Sequence, residues 1–161
     1  VSTDGRLIGG AVGYPTSPEE RTAWLATHGA TVGADRAAEL LERYGTSAEA
    51  IMRRIESGPD APLAAAPDYS RAEIVHLAET EQVVRLVDVL LRRTSLAFRG
   101  LVTEALLDEL AEVLGEALGW SAARRAQERE GARLYLADRH GISLAPADTT
   151  GAPARSRKGR P

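Results

Sequence analysis

Residues 70–98 read SRAEIVHLAETEQVVRLVDVLLRRTSLAF, and this stretch decides the fold class. Glu81, Arg85, Asp88, Arg92, Ser95 and Arg99 recur every three or four residues, a spacing that predicts one helix face. Their signs alternate, so an ion ladder is expected: Glu81 with Arg85, Arg85 with Asp88, and Asp88 with Arg92. The positions between them, Val83, Val84, Leu86, Val87, Val89, Leu90, Leu91, Leu96 and Ala97, are apolar. A helix apolar around most of its circumference is expected in a core. Thr80, Val83 and Val84 lower helix propensity, so a bend is expected within 80–85. Arg93 falls in register with Leu86 and Val89, where its guanidinium needs a partner or an edge. Two roles fit it. With Arg92 it complements the negative end of a helix finishing near Thr94, or it holds a docking partner through planar, bidentate hydrogen bonds.

The rest of the chain has the same character. Its 161 residues suit one domain that buries roughly two thirds of its unfolded surface. Only seven residues are aromatic, and alanine and leucine dominate without alternating β segments, which is the composition of an all-α fold. The net charge of −3 gives no basic character that would favour nucleic acid as a partner. With no cysteine there is neither a disulfide framework nor a thiolate metal site, in keeping with a cytoplasmic setting. No apolar run is long enough to span a membrane, and no signal-peptide pattern is present. A start at Val1, without methionine and in a Gly-rich stretch, suggests a piece of a longer polypeptide.

Local signals place the helices. Residues 1–16 have no helical period and read as an extended arm. Ser17, Pro18 and Glu20 make a capping box for a helix expected to end at His28-Gly29. A second helix over 34–44 presents Ala37, Leu40, Leu41 and Tyr44. A third is expected from a Thr46–Glu49 capping box to Gly58, burying Ile51, Met52 and Ile55. The loop GPDAPLAAAPDY is long enough to span a face or contact another domain, and Ser70 with Glu73 forms a further capping box. Thr103 caps a helix with an acidic outer face, Glu104, Asp108, Glu109, Glu112 and Glu116. Gly119-Trp120-Ser121 then leads into a helix over 122–140 carrying Arg124, Arg125, Arg129 and Arg133. The short connection makes the two antiparallel neighbours that match charge by charge. Residues 142–161 read as a disordered tail.

Groups suited to catalysis are absent from the pattern. His28 and His140 precede helix-ending glycines and suit capping, and His76 stands alone among Glu73 and Glu79. The glycines of 1–13 do not form a dinucleotide fingerprint. Two further readings remain open. VGADRAAELLERYGTSAEAI, 32–51, has features of a helix-hairpin-helix DNA element, although Thr31 replaces a hairpin glycine and Arg36 is the only nearby base. Alternatively, the chain is a free-standing interaction module whose acidic helix takes a basic partner.

Taken in order, TDGRLIGGAVGY at 3–14, HG at 28–29, LLERYGT at 40–46, APLAAAPDYSRAEIVH at 61–76, DVLLRRT at 88–94 and LGW at 118–120 resemble the C-terminal helical domain of bacterial, especially actinobacterial, FAD-dependent glycerol-3-phosphate dehydrogenases. Thr80 stands where relatives often carry histidine, and Val84-Arg85 replaces a common Arg-Thr pair. The resemblance implies a parent that oxidises sn-glycerol 3-phosphate to dihydroxyacetone phosphate on FAD and passes electrons to quinone at the membrane. It implies that the flavin fold, the substrate-phosphate arginines and the catalytic groups lie upstream. Catalytic, cofactor-binding and metal residues are then expected to be missing from this chain, which would be inactive alone. On this reading 1–16 is the connector from the flavin domain and 17–141 is an all-α, irregular bundle of about six helices. The bundle covers the flavin domain of the same polypeptide, docking through the proline loop with Tyr69, Arg92, Arg93 and Thr94. No nucleic-acid partner is expected. The parent would be cytoplasmic, and peripheral on the inner face of the cell membrane.

Overall fold

The computed structural model describes residues 9–144; residues 1–8 of the expected connector and 145–161 of the expected tail lie outside them. The fold is all-α. Its helices are α1 Pro18–His28, α2 Ala34–Tyr44, α3 Ala48–Ser57, α4 Arg71–Thr80, α5 Leu86–Asp88, α6 Glu104–Leu118 and α7 Ala122–His140. Among the described residues the sole extended pairing is an isolated bridge between Pro62 and Ser70. Where one domain over 17–141 is expected, the chain forms two compact units. One is Val1–Leu63 with Pro67–Val83, the other Ala64–Ala66 with Val84–Pro161.

In the first unit two of the three expected capping boxes form. Ser17 Oγ accepts from the Glu20 amide at 3.1 Å while the Glu20 carboxylate accepts from the amides of Ser17 and Thr16. Ser70 and Glu73 repeat the arrangement at the start of α4. Ala37 and Leu40 of α2 and Ala48, Ile51 and Met52 of α3 form a buried cluster, with Trp24, Leu25, Val32, Tyr44 and Ile55 packed against it. The expected Thr46–Glu49 box does not form. Gly45–Ser47 is a 3₁₀ turn, and Ser47 already has helical angles (φ −62°, ψ −16°), so its hydroxyl makes no cap hydrogen bond. Thr46 Oγ1 instead donates to the Val12 carbonyl at 2.8 Å, and the Thr46 amide donates to the Gly10 carbonyl at 2.9 Å. Gly10 and Gly45 cross here, both at positive φ (82° and 60°), and a Cβ on either would run into the other segment's backbone. The GG of the arm and the YGT after α2 are therefore two halves of one junction.

The run through 70–98 breaks where its propensity is weakest. Glu81 ends α4, Gln82 takes a positive φ of 53°, and Arg85 is extended. Glu81 and Arg85 consequently do not share a helix, and the ladder expected to begin at Glu81 is corrected at that step. Val84, expected among the core positions, is 63% exposed, because the extended break turns alternate residues outward.

In the second unit α5 passes directly into a π-helical turn, Val89–Arg93. Asp88 caps its start by accepting from the amides of Arg85 (2.9 Å) and Val84 (3.2 Å). Thr103 Oγ1 caps α6 through the Leu106 amide, and Ser121 caps α7 through the Arg124 amide. Leu106, Leu107, Leu110, Val113 and Leu114 of α6 are wholly buried, as is Leu136 of α7. Gly119 in the left-handed conformation makes the turn between the two helices. Arg125 bonds Glu112 and Arg129 bonds Asp108, so the acidic and basic helices pair as expected. Gly115 is the residue that lets Arg125 lie flat: a Cβ there would strike its guanidinium.

Candidate docking face

The π turn builds the most unusual surface of the second unit. Its last carbonyl acceptor, Val89 O, receives both the amide (3.0 Å) and the hydroxyl (2.7 Å) of Thr94. A π turn admits one more residue than an α turn, and such turns are rare and cluster at functional positions. Here it releases Arg92 and Arg93 to the exterior. Arg92 stands 3.7 Å from Asp88 Oδ1 with its side chain 76% exposed. Beyond Thr94 the chain folds back, burying Leu96 and Ala97 and turning Phe98 outward. Phe98 is 96% exposed. It borders a groove of about 200 Å³ lined also by Leu90, Leu91, Thr94, Ala97 and His140. Leaving a phenylalanine in water forgoes about 1.5–3 kcal/mol of burial, so this ring marks a surface that gains by being covered. Thr94 is extended (φ −136°, ψ 168°) and ends the helix, so the periodicity of 70–98 does not set where Phe98 points.

Tyr69, expected among the docking residues, is a residue of the first unit and only 1% exposed, with the Arg43 guanidinium 4.0 Å above its ring. It belongs to a polar centre around Glu73, whose side chain is fully buried. Glu73 accepts from Arg36 at 2.6 Å, from the Tyr44 hydroxyl at 2.7 Å, and from Arg43. Arg36 and Arg43 also donate to the Asp68 carbonyl. Burial and the neighbouring Glu73 carboxylate hold the Tyr44 phenol far above its ordinary range, so it stays a donor. Burial alone would lower Arg43, but the Glu73 carboxylate outweighs it and leaves the guanidinium raised. Every polar group of this centre is satisfied from within, which is the organisation of a structural staple joining α2 to α4. Tyr44 was expected on the apolar face of α2 with Ala37, Leu40 and Leu41; no expectation joined it to Arg36, Arg43 and Glu73.

Arg85 is also placed differently from the ladder. Its guanidinium faces Glu128 of α7 at 3.9 Å, and the buried Glu128 carboxylate accepts from the Leu86 amide (2.9 Å) and Arg124 (2.8 Å). Glu128 thus caps α5 from another helix, a role the sequence reading did not assign.

Other candidate chemistry is absorbed by structure. His28 lies 3.6 Å from Glu49 and packs on Trp24 with ring centroids 4.5 Å apart. His76 is held below its ordinary value, first by burial and then by Arg54. Among the described residues no group of His, Cys, Asp and Glu could hold a metal, and no helix is long and apolar enough to cross a membrane. Gly10 and Gly45 serve the crossing of two segments rather than a phosphate cradle. In the stretch read as a DNA element, the Gly33 amide donates to the Gly29 carbonyl. In α6, Asp108 and Glu112 pair with α7 and Glu109 accepts from the amides of Ala64 and Ala65, so little of the acidic face is left for a basic partner.

Comparison with known proteins gives the same family that the motifs resemble. A family model described as the C-terminal domain of alpha-glycerophosphate oxidase matches residues 1–125. The proteins called glycerol-3-phosphate dehydrogenase 2 in Mycobacterium tuberculosis (strain ATCC 25618 / H37Rv) and Mycobacterium bovis (strain ATCC BAA-935 / AF2122/97) are each 33% identical over 94 residues. The match covers 55% of this chain and only 16% of each relative. No solved structure matches.

Proposed function

The chain belongs to the family of C-terminal domains of alpha-glycerophosphate oxidase, and we propose that it is the non-catalytic C-terminal domain of a glycerol-3-phosphate dehydrogenase. The observation that carries the reading is the family match over 1–125, most of the chain. The parent would oxidise sn-glycerol 3-phosphate to dihydroxyacetone phosphate on FAD and pass the electrons to quinone, at the inner face of the membrane. The flavin and the reacting groups would lie in the region upstream of Val1. The role of this domain is to cover that region. Arg92, Arg93 and Thr94 are the docking residues, and Phe98 joins them as the apolar contact of the same face.

Exposed cations around a solvated aromatic ring suit a protein partner with a carboxylate or helix-end carbonyls beside an apolar socket. An upstream reading frame encoding a dinucleotide-binding region is expected; a start codon directly before Val1 would contradict the proposal. In the complete polypeptide, Arg93→Ala and Phe98→Ser are each expected to lower the thermal midpoint and weaken flavin retention. Unchanged melting and flavin content in both variants would reject this docking face.

A further inference from the structure

We propose that the arm is a strap whose seating is coupled to the Glu73 centre, so that lifting the arm loosens the end of the proline loop and the start of α4. This coupling lies wholly within the first unit and is independent of the C-terminal-domain reading. Its two ends meet on four consecutive residues, Arg43-Tyr44-Gly45-Thr46. Thr46 grips the arm: its amide donates to the Gly10 carbonyl at 2.9 Å and its hydroxyl to the Val12 carbonyl at 2.8 Å. Arg43 and Tyr44 grip Glu73, the phenol donating to the carboxylate at 2.7 Å. Gly10 also packs on the end of α2, where a Cβ would lie 2.5 Å from the Tyr44 carbonyl oxygen. The arm and the Glu73 carboxylate thus hold the same residue, one by its backbone and the other by its phenol.

Glu73 passes that hold onward. Its carboxylate accepts from the Ser70 amide at 3.3 Å, at the start of α4. Arg36 and Arg43 donate to the carbonyl of Asp68, and Tyr69 lies under the Arg43 guanidinium, so the end of the proline loop hangs on the same side chains. The Tyr69 carbonyl in turn accepts from the Leu63 amide at 2.8 Å. A shift of the Tyr44 backbone therefore moves one donor of a fully buried carboxylate. Loss of a donor there leaves charge uncompensated in the interior, so a lifted arm beside an intact centre is disfavoured. The hold on the arm is made by hydrogen bonds at the exterior, whereas α2 and α3 are joined by a buried apolar cluster. The arm can lift while both helices stay folded.

Amide hydrogen exchange reads both ends in the 161-residue chain. The Thr46 amide reports the arm; the Ser70 and Glu73 amides report the centre, because they donate to the Glu73 carboxylate and the Ser70 hydroxyl. Gly10→Ala is expected to speed exchange at Thr46 and, by about tenfold, at Ser70 and Glu73. Leu110 and Leu114, in the second unit, are expected to exchange as before. Thr46→Val removes only the hydroxyl donor and is expected to act in the same direction by a smaller factor. Coupling is reciprocal, so Tyr44→Phe, which takes one donor from Glu73, is expected to speed exchange at Thr46. These two milder variants keep both ends readable if Gly10→Ala fails to fold. Faster exchange at Thr46 with Ser70 and Glu73 unchanged would overturn the inference. So would a Thr46 amide that stays protected in Gly10→Ala, or one untouched by Tyr44→Phe.

Discussion

In the first unit the Glu73 carboxylate is fully buried between two arginines and a tyrosine; in the second, the pairs joining α6 and α7 stand in water, with side chains 27–58% exposed. The chemistry is the same and the energetic meaning is not. A buried ion pair costs desolvation that its partners offset only while all are present, so losing one member leaves uncompensated charge in the interior. An exposed pair gives up little water and is screened by salt. The first unit therefore depends on one centre, whereas the second distributes its pairing along a helix seam whose apolar side carries the stability.

The largest expected effect tests that centre. Glu73→Ala strands Arg36, Arg43 and the Tyr44 hydroxyl, and is expected to cost about 3–5 kcal/mol in denaturant unfolding. Glu128 is an instructive intermediate, because it is buried but lies in the second unit. Glu128→Ala leaves the Leu86 amide without its acceptor and Arg124 without its partner, with an expected loss of about 2–3 kcal/mol. Asp108→Asn, which weakens an exposed pair with Arg129, is expected to cost at most about 1 kcal/mol and less at high salt. A loss at Asp108 comparable to that at Glu73 would erase the distinction between the units.

The smallest effect is a pH dependence. Burial lowers His76 below its ordinary 6.5 in the folded state, so the unfolded chain binds the proton more readily. Stability is accordingly expected to fall as pH drops through 6.5 towards the folded value, and His76→Gln is expected to flatten that slope. Identical pH profiles for the two proteins would remove His76 from the account.

What was legible in the sequence was what local chemistry determines. Ser17–Glu20 and Ser70–Glu73 announced helix starts because a capping box needs only residues three apart in the chain. Thr80 and the Val83-Val84 pair announced the break, and the acidic and basic faces of α6 and α7 announced their own pairing. Glu73 shows the limit. Its cap was visible, but its partners Arg36 and Arg43 lie 37 and 30 residues earlier, and no local pattern marks a glutamate for burial. Tyr69 was placed on the surface for the same reason, its Arg43 neighbour being distant in sequence. Thr46 looked like a cap until the arm arrived to take its hydroxyl. Phe98 lies beyond Thr94, whose extended angles end the helix, so helical spacing does not place its ring.

The proposed docking role is tested most directly by titrating the purified 161-residue chain into the separately produced region proposed to bind the flavin, in a calorimeter. Saturable association is expected, weakened by Arg93→Ala and Phe98→Ser, with no oxidation of glycerol 3-phosphate by the chain alone. Failure to associate, or turnover of glycerol 3-phosphate by the lone chain, would contradict the account.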